Sequence, residues 1–240
     1  MDNLRPVDKF FGVLLIGFLI FVAGCSSSAE NTVETTEEII PAEACLPPDL
    51  LDCEGANLKG QFLDFINLSG ANLSGANLEG TSFMESNLTG ANLSGSNMQF
   101  AGLQNANLTG ANLTGANLGN AFLDFAILID AILTDANLMV ADLSYQNLQG
   151  ANLAGANLNS ANLTMTNLAG VDLSGANLTG ALMGNANLAG ANLTGADLSY
   201  AMMQFADLAG ANLAGANLEG AYFEGANLTG ATMPDGSIHD

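Results

Sequence analysis

Tryptophan is absent, histidine occurs once (His239), and three basic residues stand against 24 acids. Arg5 and Lys9 lie in the first ten residues, which leaves Lys59 alone for everything that follows. Nucleic-acid binding takes its affinity from Lys and Arg that displace phosphate counterions, and a chain of formal net charge −21 has almost none. Anionic membrane surfaces and acidic substrates are disfavoured for the same reason. Long apolar runs are scarce too. Hydrophobic residues make up 49% of the chain, yet one uncharged apolar stretch exists, residues 10–24. Catalytic pairings are missing: His239 is next to the last residue, and Ser and Thr recur as repeat positions, so no nucleophile–base pair presents itself. No residue set calls for a cofactor or a metal, and an enzyme is not expected.

The apolar stretch FFGVLLIGFLIFVAG is preceded by Arg5 and Lys9. Its length falls short of the ~20 residues of a membrane-spanning helix and suits a signal-peptide core. It ends in Val22-Ala23-Gly24-Cys25, which resembles the lipobox of a bacterial lipoprotein signal. That resemblance implies cleavage after residue 24, lipidation (diacylation and palmitate) of Cys25, and an extracytoplasmic, membrane-anchored protein. Ser26 in second place resembles the outer-membrane sorting pattern of a Gram-negative envelope, facing the periplasm or the cell surface. An uncleaved anchor with a buried cysteine is the competing reading, kept open by Asp2 and Asp8 in the n-region.

Residues 25–44 comprise that cysteine and a Ser-, Thr- and Glu-rich stretch with five glutamates. It has too little apolar surface to offset chain entropy and reads as an acidic tether. Cys45 and Cys53 follow, the remaining cysteines once Cys25 is acylated. Outside the cytoplasm a Cys45–Cys53 disulfide is expected, clamping an N-terminal cap over 45–55. The alternative is two thiols, with Cys53 filling a core position.

From residue 51 onward the chain is one repeat. Ala71-Asn72-Leu73-Ser74-Gly75 recurs as Ala111-Asn112-Leu113-Thr114-Gly115 and continues to Ala231-Thr232-Met233 without a slip in phase. Positions 53, 58, 63 through 233 give 37 central residues, of which 30 are Leu. Two residues earlier stands Ala in 28 of the 37, and between them Asn or Asp in 27. On an α-helix a five-residue period rotates successive Leu by ~140° and scatters them. On a straight strand an odd period sends them to alternate faces. A corner after every five residues solves this. Ala and Leu then point inward, Asn and the residue after Leu point outward, and Gly takes the corner. Repeated corners close into stacked coils, a solenoid.

The aromatic residues count the sides. All eleven beyond the tether are Phe62, Phe65, Phe83, Phe100, Phe122, Phe125, Tyr145, Tyr200, Phe205, Tyr222 and Phe223. Taken modulo 20 they occupy only positions 0 to 5, so residues 20 apart stack in one column and each coil holds four repeats. About nine coils at the ~4.8 Å strand spacing make a rod roughly 45 Å long.

The A(N/D)LxG repeat resembles the pentapeptide-repeat family over residues 51–235. The resemblance implies an all-β, right-handed quadrilateral β-helix with four repeats per coil. The expected organisation is a signal peptide over 1–24, tether over 25–44, cap over 45–55, β-helix over 56–235 and tail over 236–240. Asn columns are read as side chains bonding coil to coil. Asp130 and Asp135 are read as solvated acids, and Pro234 with Asp235 as the only guard of the C-terminal edge against stacking.

One side is unlike the others. Beginning at residue 61 and recurring every 20, it puts Phe62, Phe65, Phe122, Phe125, Met202, Phe205 and Tyr222 at outward positions, joined by Phe100, Tyr145, Val140 and Tyr200. Phe83 and Phe223 take Leu positions and are assigned to the core. Stacked outward groups would form a ridge of the kind that marks an interface. The competing reading is self-packing over a wider corner. The favoured function is a non-enzymatic, lipid-anchored scaffold binding a protein partner, or a second rod, through this ridge. The alternatives are an acidic DNA mimic occupying a topoisomerase, which requires that the signal go unused, and an ordered-water or ice-contacting surface built from Asn and Thr.

Overall fold

The computed structural model describes residues 52–240. The readings at Cys25, at residues 1–44 and at Cys45 lie outside them. Cys53 occupies the core column, 6% exposed, as the first of the central residues described.

Corners begin with a turn closed by a bond from the N–H three residues on, as in Gln61 N–H to the Leu58 carbonyl at 3.1 Å, except that the Ile66 N–H goes to the Ser86 hydroxyl. The residue at the third place of the turn has φ near +60°, the left-handed conformation a type II turn demands there. Because a corner follows every five residues, only one residue per side is left to pair. Pairing is accordingly a series of single-residue parallel bridges between residues one coil apart, such as Asn57 with Asn77 and Asn77 with Asn97. No longer strand forms among the described residues. This register puts four corners in each turn of a repeat solenoid.

Between coils the backbone bonds in a fixed pattern. The central N–H donates to the carbonyl of the outward residue on the next coil, Leu58 to Asn77 at 2.8 Å. The corner N–H reaches the next coil likewise, Gly60 to the Glu79 carbonyl at 2.9 Å. The Ala carbonyl accepts from the outward residue's N–H on the next coil, as Ala56 does from Asn77 at 2.9 Å. Leu and Ala columns fill the interior, most of them fully buried, and Phe83, Met98, Met183 and Met203 substitute for Leu without loss of burial. Polar residues in the Ala column turn their hydroxyls to backbone carbonyls, Thr81 to Leu58 and Thr166 to Leu143, each at 2.7 Å. None of the buried side-chain polar atoms described lacks a partner.

The outward Asn serves two coils at once. Its Oδ1 accepts the N–H two residues on, as Asn92 does from Ser94 at 3.2 Å. Its Nδ2 donates to the Asn one coil earlier, a chain that runs unbroken from Asn97 through Asn117, Asn137 and Asn157 to Asn177 at 2.8–3.2 Å. Where Asp replaces Asn the same donors meet a carboxylate. At Asp172 the Ser174 backbone N–H is the leading cause that holds the carboxyl below its ordinary value, joined by the Ser174 hydroxyl and the Asn192 amide. Asp197 is lowered in the same way, first by the Ser199 backbone N–H. At Asp142 burial pushes the carboxyl up, but bonds from Ser144 and Asn162 outweigh it.

The C-terminal end corrects two expectations. Residues 236–240, expected as a tail, fold back on the last coil. The chain turns back after Met233, Ile238 pairs antiparallel with Thr232, and His239 exchanges backbone bonds with Ala231 (2.8 Å) and Gly230 (2.7 Å). This return segment, rather than Pro234 and Asp235 alone, covers part of the last edge. Elsewhere the terminal coil has nothing stacked above it, so Leu218, Leu228 and the supposed core residue Phe223 are only partly buried.

Leu153→Ala would empty a fully buried site between coils that cannot collapse independently, and urea unfolding should show a loss of about 2–5 kcal/mol. The lowered carboxyls stabilise the fold above the unfolded-state value of ~3.9, and their contribution is lost as pH falls through the lower folded-state values. Urea midpoints measured from neutral pH into the acid range should therefore drop at the acid end. The drop should be smaller in the variant Asp172→Asn with Asp197→Asn, which keeps the acceptors but cannot be protonated there.

Candidate interaction face

Corner residues at positive φ are normally Gly, because a Cβ there costs roughly 1–2 kcal/mol. Along one edge of the rod Gly is excluded from eight successive corners: Phe65, Glu85, Asn105, Phe125, Tyr145, Met165, Asn185 and Phe205, all with φ between 56° and 61°. Glycine returns only at Gly225. The neighbouring edge shares the habit in part, at Phe100, Asn120, Val140, Ser160 and Tyr200. The other two edges keep Gly almost throughout and depart from it together at Asp130 and Asp135. A Cβ at positive φ is thus repeated on every coil of one edge up to Phe205, each at a backbone cost that Gly would avoid.

The apolar side chains at these corners and at the outward places beside them are exposed. Phe62 is 84% accessible, Phe125 78%, Tyr145 72% and Phe65 70%, and Phe100, Phe122, Tyr200, Met202, Phe205 and Tyr222 are also exposed. Phe83 is fully buried, as its Leu position requires. The structure adds exposed apolar residues that the aromatic pattern did not single out: Met165 on the same edge, Leu182 in the column of Met202 and Tyr222, and Ile127, Ile132 and Met139 round the coil of Phe122. The signal for them was present, as an apolar residue where Asn is the rule or a non-Gly at a corner.

The ridge is not continuous, and this corrects the expectation of a single stack. In the column of Phe62 the next two places are Ser82 and Gly102 before Phe122, and Asp142 and Asn162 follow. Leu182, Met202 and Tyr222 then stand on consecutive coils, bridged one to the next. Two apolar patches result, one round Phe122, Phe125 and Tyr145 and one towards the C-terminal end, with Phe62 and Phe65 apart from both. Polar contacts punctuate the side: Asp64 accepts from the Ser82 hydroxyl and from the Met84 N–H, and the Tyr222 hydroxyl donates to Glu224 at 3.1 Å. That bond, with the nearby negative charge, raises the Tyr222 phenol above its ordinary value.

Corner side chains lean along the rod towards the next coil. A Cβ at Gly220 would come within 2.7 Å of the Tyr200 ring, and one at Gly225 within 2.6 Å of the Phe205 ring. Both rings thus lie on bare glycine backbone, with one face covered and the other open. Asp130 and Asp135 drape in the same way over Gly150 and Gly155. Among the described residues no group of three or more His, Cys, Asp or Glu is placed to hold a metal. The Lys59 ammonium pairs with Glu79 at 3.1 Å, so the one lysine of the repeat region is already engaged. No described helix is long and apolar enough to cross a membrane.

The repeat pattern and this architecture match pentapeptide repeats in eight copies spread over residues 52–235. The chain is 36% identical to HetL, a pentapeptide repeat protein involved in heterocyst differentiation regulation from the cyanobacterium Nostoc sp. strain PCC 7120. The match covers 78% of this chain and 92% of HetL, with a TM-score of 0.61. A second Nostoc pentapeptide repeat protein is 30% identical over 40% of this chain and 83% of its own, with a TM-score of 0.29. Full-length QnrB1, a plasmid-mediated fluoroquinolone resistance protein, is 17% identical over 73% of this chain and 90% of its own, with a TM-score of 0.45. No curated protein matches the sequence. With the family's repeats covering most of its length, the chain belongs to the pentapeptide-repeat family.

Proposed function

We propose that this protein is a non-enzymatic scaffold, a right-handed quadrilateral rod of about nine coils that presents one side to a protein partner. The observation that carries the reading is the edge where eight successive corners bear side chains at positive φ, with exposed Phe and Tyr among them. The core of the rod does not require that choice, whereas exposed aromatic groups with a polar surround suit an interface. The likeness to HetL, a protein involved in regulation, fits an interaction role.

The anchor belongs to the same proposal. Cleavage before Cys25 and acylation there would tether the rod to an envelope membrane, with residues 26–44 as spacer and a Cys45–Cys53 bridge closing the first coil. A second reading, an acidic rod occupying a topoisomerase as a DNA mimic, draws only on the charge of −21 and needs the protein to stay in the cytosol.

Two measurements separate these readings. Cys25→Ser should remove the lipid and shift the protein out of the membrane fraction; a variant that is acylated and sediments like the parent contradicts the anchor. The second changes Phe62, Phe122, Phe205 and Tyr222 together to Asn, which is common at the outward place and tolerates the positive φ of the corner. The melting temperature should stay close to the parent's, and capture of partners from the envelope fraction should be abolished. If the folded variant captures the same partners and keeps the same oligomeric state, the face is not the interface.

A further inference from the structure

The inter-coil ladder has a gap. Every central N–H from Cys53 to Leu213 donates to the outward residue's carbonyl on the next coil, except those of Leu123 and Leu128. The corner bonds fail in the same place, at the N–H groups of Asn120 and Phe125; in the next interval only the Gly150 and Asp172 N–H groups lack theirs. On the facing coil the N–H groups of Asp142 and Asn147 lack the bond to the preceding coil that Asn162 makes to Ala141 at 2.9 Å. The bridges expected between Phe122 and Asp142 and between Ile127 and Asn147 are likewise missing, while those on the other two sides, Ile132 with Asn152 and Asn137 with Asn157, are formed. The two affected sides meet at one corner. The bond just beyond them, Asp130 N–H to the Gln149 carbonyl, is formed at 3.1 Å.

Gln146 stands at that corner. It occupies an Ala position, is buried, and its Nε2 donates to the Leu123 carbonyl at 2.8 Å across the gap. Smaller polar residues in the Ala columns make the same contact without opening the ladder. Thr166 bonds the Leu143 carbonyl while Leu143 N–H to Asn162 remains at 2.8 Å, and Thr81 bonds Leu58 while Leu58 to Asn77 remains at 2.8 Å. The missing Asn ladder is not enough to explain the gap. Phe122 and Ile127 offer no amide to Asp142 and Asn147, but Ile132 offers none to Asn152 either, and there the backbone bonds hold at 2.7 and 2.9 Å. The difference is the longer side chain wedged between coils that already lack an Asn tie.

We propose that Gln146 props open a seam between residues 121–128 and 141–148, and that this seam is a flexion point dividing the rod into two blocks. In a solenoid each coil touches only its neighbours, so two sides bridged by a single side-chain amide are where local opening is easiest. The opposite two sides stay bonded and act as the hinge. The seam lies on the candidate face, between Phe125 and Tyr145, so opening changes the spacing of that aromatic patch. That last consequence rests on the interaction reading; the flexion does not.

Hydrogen exchange on the purified full chain tests it without any partner. The amides of Leu123, Phe125, Leu128, Asp142 and Asn147 should exchange at least about tenfold faster than their equivalents Leu103, Asn105, Leu108, Asn162 and Asn167 in flanking coils. Gln146→Thr, which keeps a donor of the length that Thr166 carries, and Gln146→Ala, the residue usual in the column, should both slow exchange at the seam and leave the flanking coils unchanged. Seam amides as protected as the flanking ones in the parent protein overturn the proposal, and that comparison needs no variant. Fast seam exchange that neither substitution slows overturns the role of Gln146 as the prop. A seam that behaves as expected beside a face that captures nothing supports the flexion and removes only its tie to binding.

Discussion

Everything in this protein depends on turning a corner after five residues and arriving above the starting point after twenty. The corner limits each side to one bridged residue, so no single strand holds the fold. Cohesion comes from repetition: each coil bonds the next through the central N–H, the corner N–H and the Ala carbonyl, and the interior is closed by a column of large apolar centres beside a column of mostly Ala partners. A rod built this way has no hydrophobic cluster that can exist without its neighbours, which is why its ends need special treatment. The return segment through Ile238 and His239 supplies part of that at the C-terminal end.

The same rule separates what the rod must keep from what it can vary. Inward positions tolerate Phe83 or Met183 for Leu and Thr81 for Ala, because a large apolar group or a hydroxyl with a carbonyl within reach still fits. Outward positions and corners are free of that demand. On one edge that freedom is used against the backbone's own preference, with Phe65, Phe125, Tyr145 and Phe205 held at positive φ. Where such rings find Gly on the next coil, as Tyr200 and Phe205 do, they lie down on it and remain half open. Self-packing and exposure are therefore both present in one side chain.

Most of the fold was legible in the sequence because its signal is periodic. Period five excluded helix and straight strand, and the aromatic residues modulo 20 revealed the register now seen in the bridge from Asn57 to Asn77. The outward direction of Phe62 and Phe122 followed from the same phase. What escaped was aperiodic. The return after Met233 follows no repeat, and the break at Gln146 depends on how far one buried side chain reaches between two coils. Gln at an Ala position was visible, as was Thr166, yet only the geometry distinguishes the one that parts the ladder from the one that does not. The ridge was read as continuous because its residues were grouped by side; Ser82, Gly102, Asp142 and Asn162 in the same column divide it.

The register itself is open to direct measurement by cross-linking. Bridge partners lie one coil apart, within the Cα separation of ~4.4–6.8 Å that a disulfide spans. With the native cysteines replaced, Asn92→Cys should oxidise readily with Asn112→Cys, its bridge partner. Paired with Asn107→Cys or Asn117→Cys, on adjacent sides, it should not. Efficient closure with either of those two, and not with the cysteine at 112, would contradict a four-cornered coil and everything built on it.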